Sequence, residues 1–205
     1  MTLEKKKSQQ EKSQQMRMRL IYATLDCLQL FGHHGTSLSR ILDKAGVSRG
    51  AWRHHYQSKN DLVAAASEYL LSTALERAFQ VADTLSVETA GIGGILEFIW
   101  DSFYQGRYRD VWVEFNVACR TDSELHQRLA PVISSFFDNL DQIWNTRLTH
   151  LSRPGLKAET VMNLSLYLLR GMSFQSISMD RPDHYKELRK SWVDMLTHMI
   201  DRSEP

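Results

Sequence analysis

Two short helical patterns joined by a tight turn, within residues 36–56, constrain the fold of this chain more than any other feature. The first pattern carries apolar residues at helical spacing, namely Leu38, Ile41, Leu42 and Ala45. Gly46-Val47-Ser48 then breaks that helix, and Ser48 is suited to begin a third short helix over about 49–54. Helices joined in this way predict a helix-turn-helix, the unit that holds a recognition helix for insertion into the DNA major groove.

Helical periodicity extends over nearly all of the remaining chain, and strand signals are almost absent. A first helix is expected before the turn unit, with its inward stripe at Leu20, Ala23, Cys27 and Phe31. A fourth is expected from the capping sequence Ser58–Asp61 to about Thr84, followed by a loop or frayed helix start at 86–94. Further helices are expected at about 95–105, 107–120, 122–150, 157–179 and 183–202, with a kink or split at Pro131. The predicted fold is all-α, with about nine helices forming a three-helix N-terminal head and a helical body.

Charge divides unevenly between the head and the body. Residues 1–59 hold eleven Lys or Arg and four acids, a net charge of +7, whereas residues 60–205 carry −6. A basic head concentrates attraction for polyanions at one end, although a chance excess on a solvated surface is an alternative. We expect a flexible polar and basic tail at 1–15, a helix-turn-helix DNA-binding domain at 16–62 and a helical ligand-binding and dimerisation domain at 63–205. The tail is expected to be disordered and to add only nonspecific affinity for DNA, and insertion into a minor groove is the alternative.

Composition favours a soluble globular protein, with 42% hydrophobic and 24% charged residues. No apolar run approaches the roughly 18 residues that span a bilayer, and no secretory signal precedes the first helix. Cys27 and Cys119 form no metal or disulfide pattern. We therefore expect a cytoplasmic location and no membrane partner.

Enzymatic motifs are missing from the sequence. It contains no Ser-His-acid set, no HExxH and no Gly-rich phosphate loop, so an all-helical enzyme with an aromatic pocket is a weak alternative. His54 and His55 do not predict a metal site, because adjacent helical side chains point about 100° apart. No cofactor is expected.

The third short helix carries the expected base-reading residues. Its start, Arg49-Gly50-Ala51, is small and basic, so it can approach DNA closely, and Arg suits bidentate contact with guanine. The expected contact residues in this region are Ser48, Arg49, Gly50, Ala51, Trp52, Arg53, His54 and His55. Among these, Trp52 is also expected to pack inward.

Residues 17–65, about a quarter of the chain, resemble the tetracycline-repressor (TetR) family. The similarity lies in Arg19-Leu20-Ile21, Phe31, Gly35-Thr36-Ser37, Ala45–Gly50, His55-Tyr56, Ser58-Lys59 and Leu62. It implies a homodimer whose two heads enter successive major grooves of a near-palindromic operator in double-stranded DNA. It also implies phosphate contacts from Thr36, Ser37 and Lys59. Where the family usually has Leu-Tyr, this chain has Trp52-Arg53, so Arg53 can replace a tyrosine contact to the backbone.

The body offers two candidate surfaces. The two C-terminal helices carry apolar stripes that can form a four-helix dimer interface through Leu164, Leu168, Met172, Leu188, Trp192, Met195 and Met199. The alternative is that both helices cover the core of a monomer. The resemblance also implies a ligand cavity among the body's aromatic residues, most of which are ordinary core. Candidate lining residues are Trp100, Tyr104, Trp112, Asn116, Arg120, Phe137, Tyr167, Arg170 and Phe174.

Arg170 needs a partner if it is buried. It can pair with an acid across the dimer or receive the acidic group of an effector. The leading hypothesis is a repressor released from its operator by a small hydrophobic or aromatic effector, and the second is a DNA-binding dimer without an effector.

Overall fold

The computed structural model describes the backbone of residues 2–84, 87–149 and 157–201 and the side chains of 9–80, 91–149 and 157–199. Every regular element within that part of the chain is helical, which confirms the all-α prediction. Eight α-helices are described: α1 Thr2–Gly35, α2 Leu38–Ala45, α3 Lys59–Thr84, α4 Val87–Phe103, α5 Gly106–Thr121, α6 Ser123–Arg147, α7 Ala158–Gln175 and α8 Pro182–Asp201. One turn of 3-10 helix, Trp52–His54, lies between α2 and α3.

The chain forms two compact units. The first unit combines residues 1–71 with 110–132, and the second combines 72–109 with 133–205. The predicted division at residue 62 stays a prediction, but the first unit contains more than the helix-turn-helix because parts of α5 and α6 belong to it. No helix among the described residues is both long and apolar enough to cross a bilayer.

One core cluster of the first unit, the head core, forms where the predicted inward stripe of α1 packs on α2. Its buried members are Leu20, Ala23, Cys27, Ile41, Leu42, Ala45, Val47, Trp52, Tyr56 and Leu62. Phe31 was expected in this stripe but is 47% exposed; it is the last residue before Gly32, where the backbone leaves the helical conformation at φ 65°. The guanidinium of Arg40 stacks 4.6 Å from the Phe31 ring centroid.

Local capping chemistry sets the ends of the short helices where the sequence predicts them. Ser37 caps the start of α2, and its Oγ accepts a hydrogen bond from the Arg40 N–H at 3.3 Å. Gly46 ends α2 in the left-handed region at φ 61°. Ser58 and Asp61 exchange side-chain to backbone hydrogen bonds of 3.1 and 3.0 Å, a reciprocal capping box at the start of α3.

Residues 2–15 are helical, so the prediction of a flexible tail there differs from the structure, in which α1 begins at Thr2. These residues are mainly Glu, Lys, Gln and Ser, with no Gly or Pro to stop a helix. Extending a helix that is already stable after residue 16 needs no new nucleus, because each added residue gains one backbone hydrogen bond.

Two further predictions, the loop at 86–94 and the split at Pro131, also differ from the structure. α4 begins at Val87, so most of the predicted loop at 86–94 is helical, with an interruption at Gly91 (φ 64°). α6 passes through Pro131 without a split. Pro131 and Gln127, whose carbonyl loses its helical donor, are both exposed residues where water can replace that hydrogen bond. The predicted break at 153–155 lies outside the described residues.

The second unit packs α4, α6, α7 and α8 around an apolar core. Its buried members include Leu96, Ile99, Trp100, Ile143, Trp144, Val161, Met162, Leu169 and Leu196. Arg189 is buried in this unit, where it donates to both carboxylate oxygens of Glu97 at 3.0 and 3.1 Å. Its guanidinium lies 4.2 Å from the Trp100 ring centroid, so the charge is paired on one side and stacked on the other.

Gly46→Ala is expected to lower the free energy of unfolding by about 1 kcal/mol, because a left-handed backbone disfavours a side chain. The added Cβ would also approach Arg19 Nη2 to 3.1 Å. Gly50→Ala is the matched control, since its Cβ would meet nothing within 4 Å. Chemical denaturation at a fixed protein concentration, followed by circular dichroism, measures both. Equal stability of the two variants would contradict the assigned role of Gly46.

Candidate nucleic-acid interface

The expected third helix is a turn over residues 48–51 followed by the single 3-10 turn, and we call residues 48–55 the recognition segment. The Ala51 N–H donates to Ser48 Oγ at 3.3 Å and to the Ser48 carbonyl at 3.1 Å, so Ser48 caps the segment as predicted. The segment is anchored by Trp52 within it and by Tyr56 directly after it, which are 4% and 6% exposed. Because two aromatic side chains point into the core, the opposite side of the segment faces solvent.

The exposed side of the recognition segment is small and basic. Its exposed residues are Ser48, Arg49, Gly50, Arg53 and His54, while Ala51 and His55 are half-buried. A Cβ at Gly50 would meet nothing, so the backbone can come close to a large ligand at that point. The prediction that Trp52 contacts DNA is wrong. Its ring fills the head core and therefore cannot also present itself to DNA.

The start of α2 lies on the exposed side of the same unit. Ser37 and Ser39 are exposed, and the first N–H groups of α2 have no helical acceptor, which makes this end suited to phosphate. Thr36, also expected to contact phosphate, is only 1% exposed. Its Oγ1 donates to the Gly32 carbonyl at 2.7 Å, so the hydroxyl fixes the α1–α2 turn and is not presented to a ligand.

Lys59 is half-buried at the start of α3, with its Nζ 3.5 Å from the His33 carbonyl. Burial lowers the pKa of His33, and the Lys59 ammonium lowers that pKa further. His33 is therefore neutral at pH 7, and Lys59 supplies the positive charge at this point. The phosphate contact of Lys59 stays a prediction.

Sequence reasoning missed two arginines that shape the surface. Arg40 is exposed on α2, where it donates to the Gly35 carbonyl and stacks on Phe31. Arg19 Nη2 donates to the carbonyls of Ala45 and Gly46 at 2.5 and 3.1 Å, which closes the turn between α2 and the recognition segment. Helical spacing could have assigned Arg40 to the outer face of α2. No local signal pairs Arg19 with a turn more than 25 residues away.

The head is joined by polar contacts to the parts of α5 and α6 in its own unit. The His33 N–H donates to Glu114 Oε2 at 2.6 Å, and the Gln29 amide donates to Asp110 at 3.3 Å. Near the α3 start, Asn60 donates to Asp122 at 3.2 Å. Arg128 of α6 also forms an ion pair with Asp61. Residues at both ends of the helix-turn-helix are thus tied to α5 and α6.

Part of the predicted ligand set comes together in the second unit. The Arg170 guanidinium lies 5.3 Å from the Phe137 ring centroid and 5.5 Å from that of Tyr167, and these two rings stack with centroids 6.5 Å apart. Tyr104 is buried and donates to the Leu166 carbonyl at 3.1 Å. Burial raises the pKa of Tyr104, and the nearby Arg170 charge opposes that rise.

The other predicted ligand residues do not join this cluster. Trp100 is buried in the core of the second unit under Arg189. Trp112, Asn116 and Arg120 belong to the first unit, where Trp112 is buried and the other two are exposed. The Asn116 amide donates to the Trp112 carbonyl within α5 at 2.7 Å. Phe174 is 58% exposed.

Of the residues predicted to form the dimer interface, some are exposed and others pack inside the chain. Five of its members are exposed apolar side chains on α7 and α8: Leu164, Leu168, Leu188, Met195 and Met199. Met172 and Trp192 instead pack against the core of their own unit, and Trp192 Nε1 donates to Ser165 Oγ at 2.9 Å. Those two residues are corrected from a dimer surface to intrachain packing.

Comparison with known proteins places this geometry in context. Residues 20–66 match the family model described as bacterial regulatory proteins, tetR family. The chain is 24% identical over 191 residues to the HTH-type transcriptional regulator CymR of Pseudomonas putida, which covers 93% of this chain and 94% of that protein. This curated relative is a transcriptional regulator, so the enzyme alternative gains no support from it.

Solved structures show the same fold. A transcriptional regulator from Rhodococcus sp. Rha1 superposes with a TM-score of 0.71 at 24% identity, covering 90% of this chain and 95% of that one. FadR from Bacillus subtilis, solved in complex with stearoyl-CoA, superposes with a TM-score of 0.64 at 16% identity, covering 87% and 96%. The all-helical fold is therefore shared well beyond the matched head.

Asp122→Ala is expected to destabilise the protein by about 1 kcal/mol at neutral pH, because Asp122 caps α6. The hydrogen bond from the Leu125 N–H at 2.9 Å, supported by Asn60, lowers the pKa of Asp122 below its ordinary 3.8. A carboxyl with a lowered folded-state pKa contributes stability above its unfolded-state pKa. That contribution is lost as the pH falls through the folded-state pKa.

The difference between wild type and Asp122→Ala should therefore shrink below about pH 4, as measured by denaturation at several pH values. Asp122→Asn is the control, because it keeps a capping oxygen but cannot titrate in this range. A difference that stays constant down to pH 2 would contradict a charged cap at this position.

Proposed function

We propose that this chain, a DNA-binding transcriptional regulator of the tetR family, is a homodimeric repressor that a small effector releases from a near-palindromic operator. The observation that carries the proposal is the recognition segment, which is held by buried Trp52 and Tyr56 and exposes Arg49 and Arg53. We place this activity in the cytoplasm, where a bacterial regulator meets the chromosome.

The head offers two kinds of DNA contact, those that read bases and those that bind phosphate. Arg49 and Arg53 lie on the exposed side of the recognition segment, and arginine can donate two hydrogen bonds to one guanine. Ser37, the start of α2 and Lys59 suit phosphate, which fixes the register of the head on the duplex without reading bases. The positive charge of residues 1–59 adds attraction that weakens as salt rises.

Dimerisation is proposed through α7 and α8. Exposed Leu164, Leu168, Leu188, Met195 and Met199 form apolar stripes on two helices of one unit. Exposed apolar patches of this kind mark interaction sites on soluble proteins. An isologous two-fold interface would give two heads related by symmetry, which matches a near-palindromic site.

Effector binding is proposed at the cluster of Arg170, Phe137 and Tyr167. A cation that lies close to two stacked rings suits an apolar or aromatic molecule that carries an acidic group. FadR shows that this fold accommodates an acyl-thioester ligand. Within the first unit, the contacts of Glu114 and Asp122 with α1 and α3 offer the connection through which a shift of α5 or α6 would reposition the head.

Operator binding is expected to depend on the exposed basic side chains of the head. After selection of bound duplexes from a random pool, Arg53→Ala should weaken operator binding about tenfold or more. Lys59→Ala should weaken all duplexes alike and reduce the slope of log K against log salt by about 1 per protomer. Fluorescence anisotropy over a salt series measures both, and Lys190→Ala, an exposed change on α8, is the control. Unchanged affinity in both head variants would contradict the proposed docking.

A panel of aromatic and acyl carboxylates, each paired with its neutral amide, tests the effector site. Carboxylates that bind should raise the melting temperature saturably, since a ligand at 100 times its Kd stabilises by about 2.7 kcal/mol. Arg170→Gln should remove the preference for the acid over its amide, whereas exposed Arg181→Gln should not. If no compound of the panel raised the melting temperature of the wild type, a DNA-binding dimer without an effector would be favoured.

A further inference from the structure

We infer, on the premise of the proposed DNA-binding function, that residues 2–19 of α1 form a second DNA-contact surface, which we call the arm. The arm would bind the phosphate backbone beside the site that the recognition segment reads. It precedes the segment matched by the family model, which begins at residue 20.

The arm holds most of the positive charge of the head. Residues 1–19 contain six Lys or Arg and two Glu, a net charge of +4 out of the +7 carried by residues 1–59. No apolar residue occurs between Leu3 and Met16. A helix without an apolar stripe does not suit a bilayer or a partner helix. Its charge suits a polyanion, and the head already presents one basic surface to DNA.

The arm leaves the head beside the recognition segment. Met16 packs against the head core and Leu20 is fully buried, so α1 is fixed from this point onward. The Arg17 guanidinium lies 5.9 Å from the ring centroid of Tyr56, the residue directly after the recognition segment. Arg19 contacts the turn that precedes that segment. A duplex held by the recognition segment thus lies near the base of the arm.

The described surface of the arm is rich in phosphate-binding groups. Side chains at 9–12, 14, 15 and 17 are exposed, and they are four glutamines, Lys12, Arg17 and one acid, Glu11. An open surface groove follows one side of this helix and is lined by Gln10, Ser13, Gln14, Arg17, Met18 and Ile21. Amide, hydroxyl and guanidinium donors are the groups that contact phosphate and sugar in protein–DNA complexes.

A helix gives the arm a defined reach. At 1.5 Å per residue, residues 2–15 extend about 20 Å from the head, which equals about six base pairs at 3.4 Å each. The arm should therefore contact backbone outside the half-site without reading its bases. It should raise affinity and salt dependence for operator and unrelated duplexes alike.

The test replaces Lys5, Lys6, Lys7 and Lys12 together by Gln, which removes four charges per protomer and preserves helix propensity. The matched control makes the same charge change in the second unit, at exposed Lys157, Arg181, Lys186 and Lys190. Circular dichroism checks that both variants keep their helix content. Binding is measured over a salt series on the selected operator and on a scrambled duplex.

For the arm variant, the slope of log K against log salt should be shallower by about 2 to 4 per protomer, since each lost phosphate contact removes about 0.9. Its affinity should fall at least tenfold on both duplexes, while selection from a random pool should return the same half-site. In a series of operators with flanks lengthened by single base pairs, wild type should gain affinity over about six pairs, whereas the variant should not.

Failure of this inference is distinct from failure of the proposed function. If wild type discriminates operator from scrambled duplex but the arm variant keeps the wild-type salt slope and flank dependence, the arm is only a solvated helix. An equal reduction of the salt slope in the control variant would also overturn the inference, because the effect would then come from the net charge of the protein. If wild type does not discriminate at all, the proposed function fails first.

Discussion

Burial of Trp52 and Tyr56 is the constraint on which the rest of the head depends. The recognition segment contains one 3-10 turn, and its backbone hydrogen bonds, such as those of the His55 and Tyr56 N–H groups to the Trp52 carbonyl, are too few to hold it alone. Burying each aromatic side chain contributes about 2 to 3 kcal/mol. The same burial turns Arg49 and Arg53 outward, so packing and function follow from one interaction.

The turns around this anchor are held by side chains that would not contact DNA themselves. Arg19 closes the turn before the segment, Thr36 fixes the turn before α2, and Glu114 holds the N–H after the Gly32 break. A charged surface held by such contacts binds DNA with little reordering, which lowers the entropic cost of association. Gly32 also has a steric role, since a Cβ there would come within 2.9 Å of Glu114 Oε2.

The sequence predicted the features that local chemistry determines and missed those that depend on distant partners. The Ser37 cap, the Gly46 ending and the Ser58–Asp61 box are encoded within four residues of where they act. The contact between Glu114 and His33 joins positions 81 residues apart, which no periodicity reveals. Apolar spacing on α7 and α8 could not tell Met172 and Trp192, which pack inside the chain, from neighbours that face outward.

Hydrogen–deuterium exchange with and without the selected operator duplex tests the central claim most directly. An anchored recognition segment that docks on DNA predicts slowed exchange of the amides at 37–40 and 48–55, with no change along α7 and α8. Protection confined to α7 or α8, with unchanged exchange at 48–55, would contradict it. That pattern would mean that DNA is held by a surface other than the one that Trp52 and Tyr56 position.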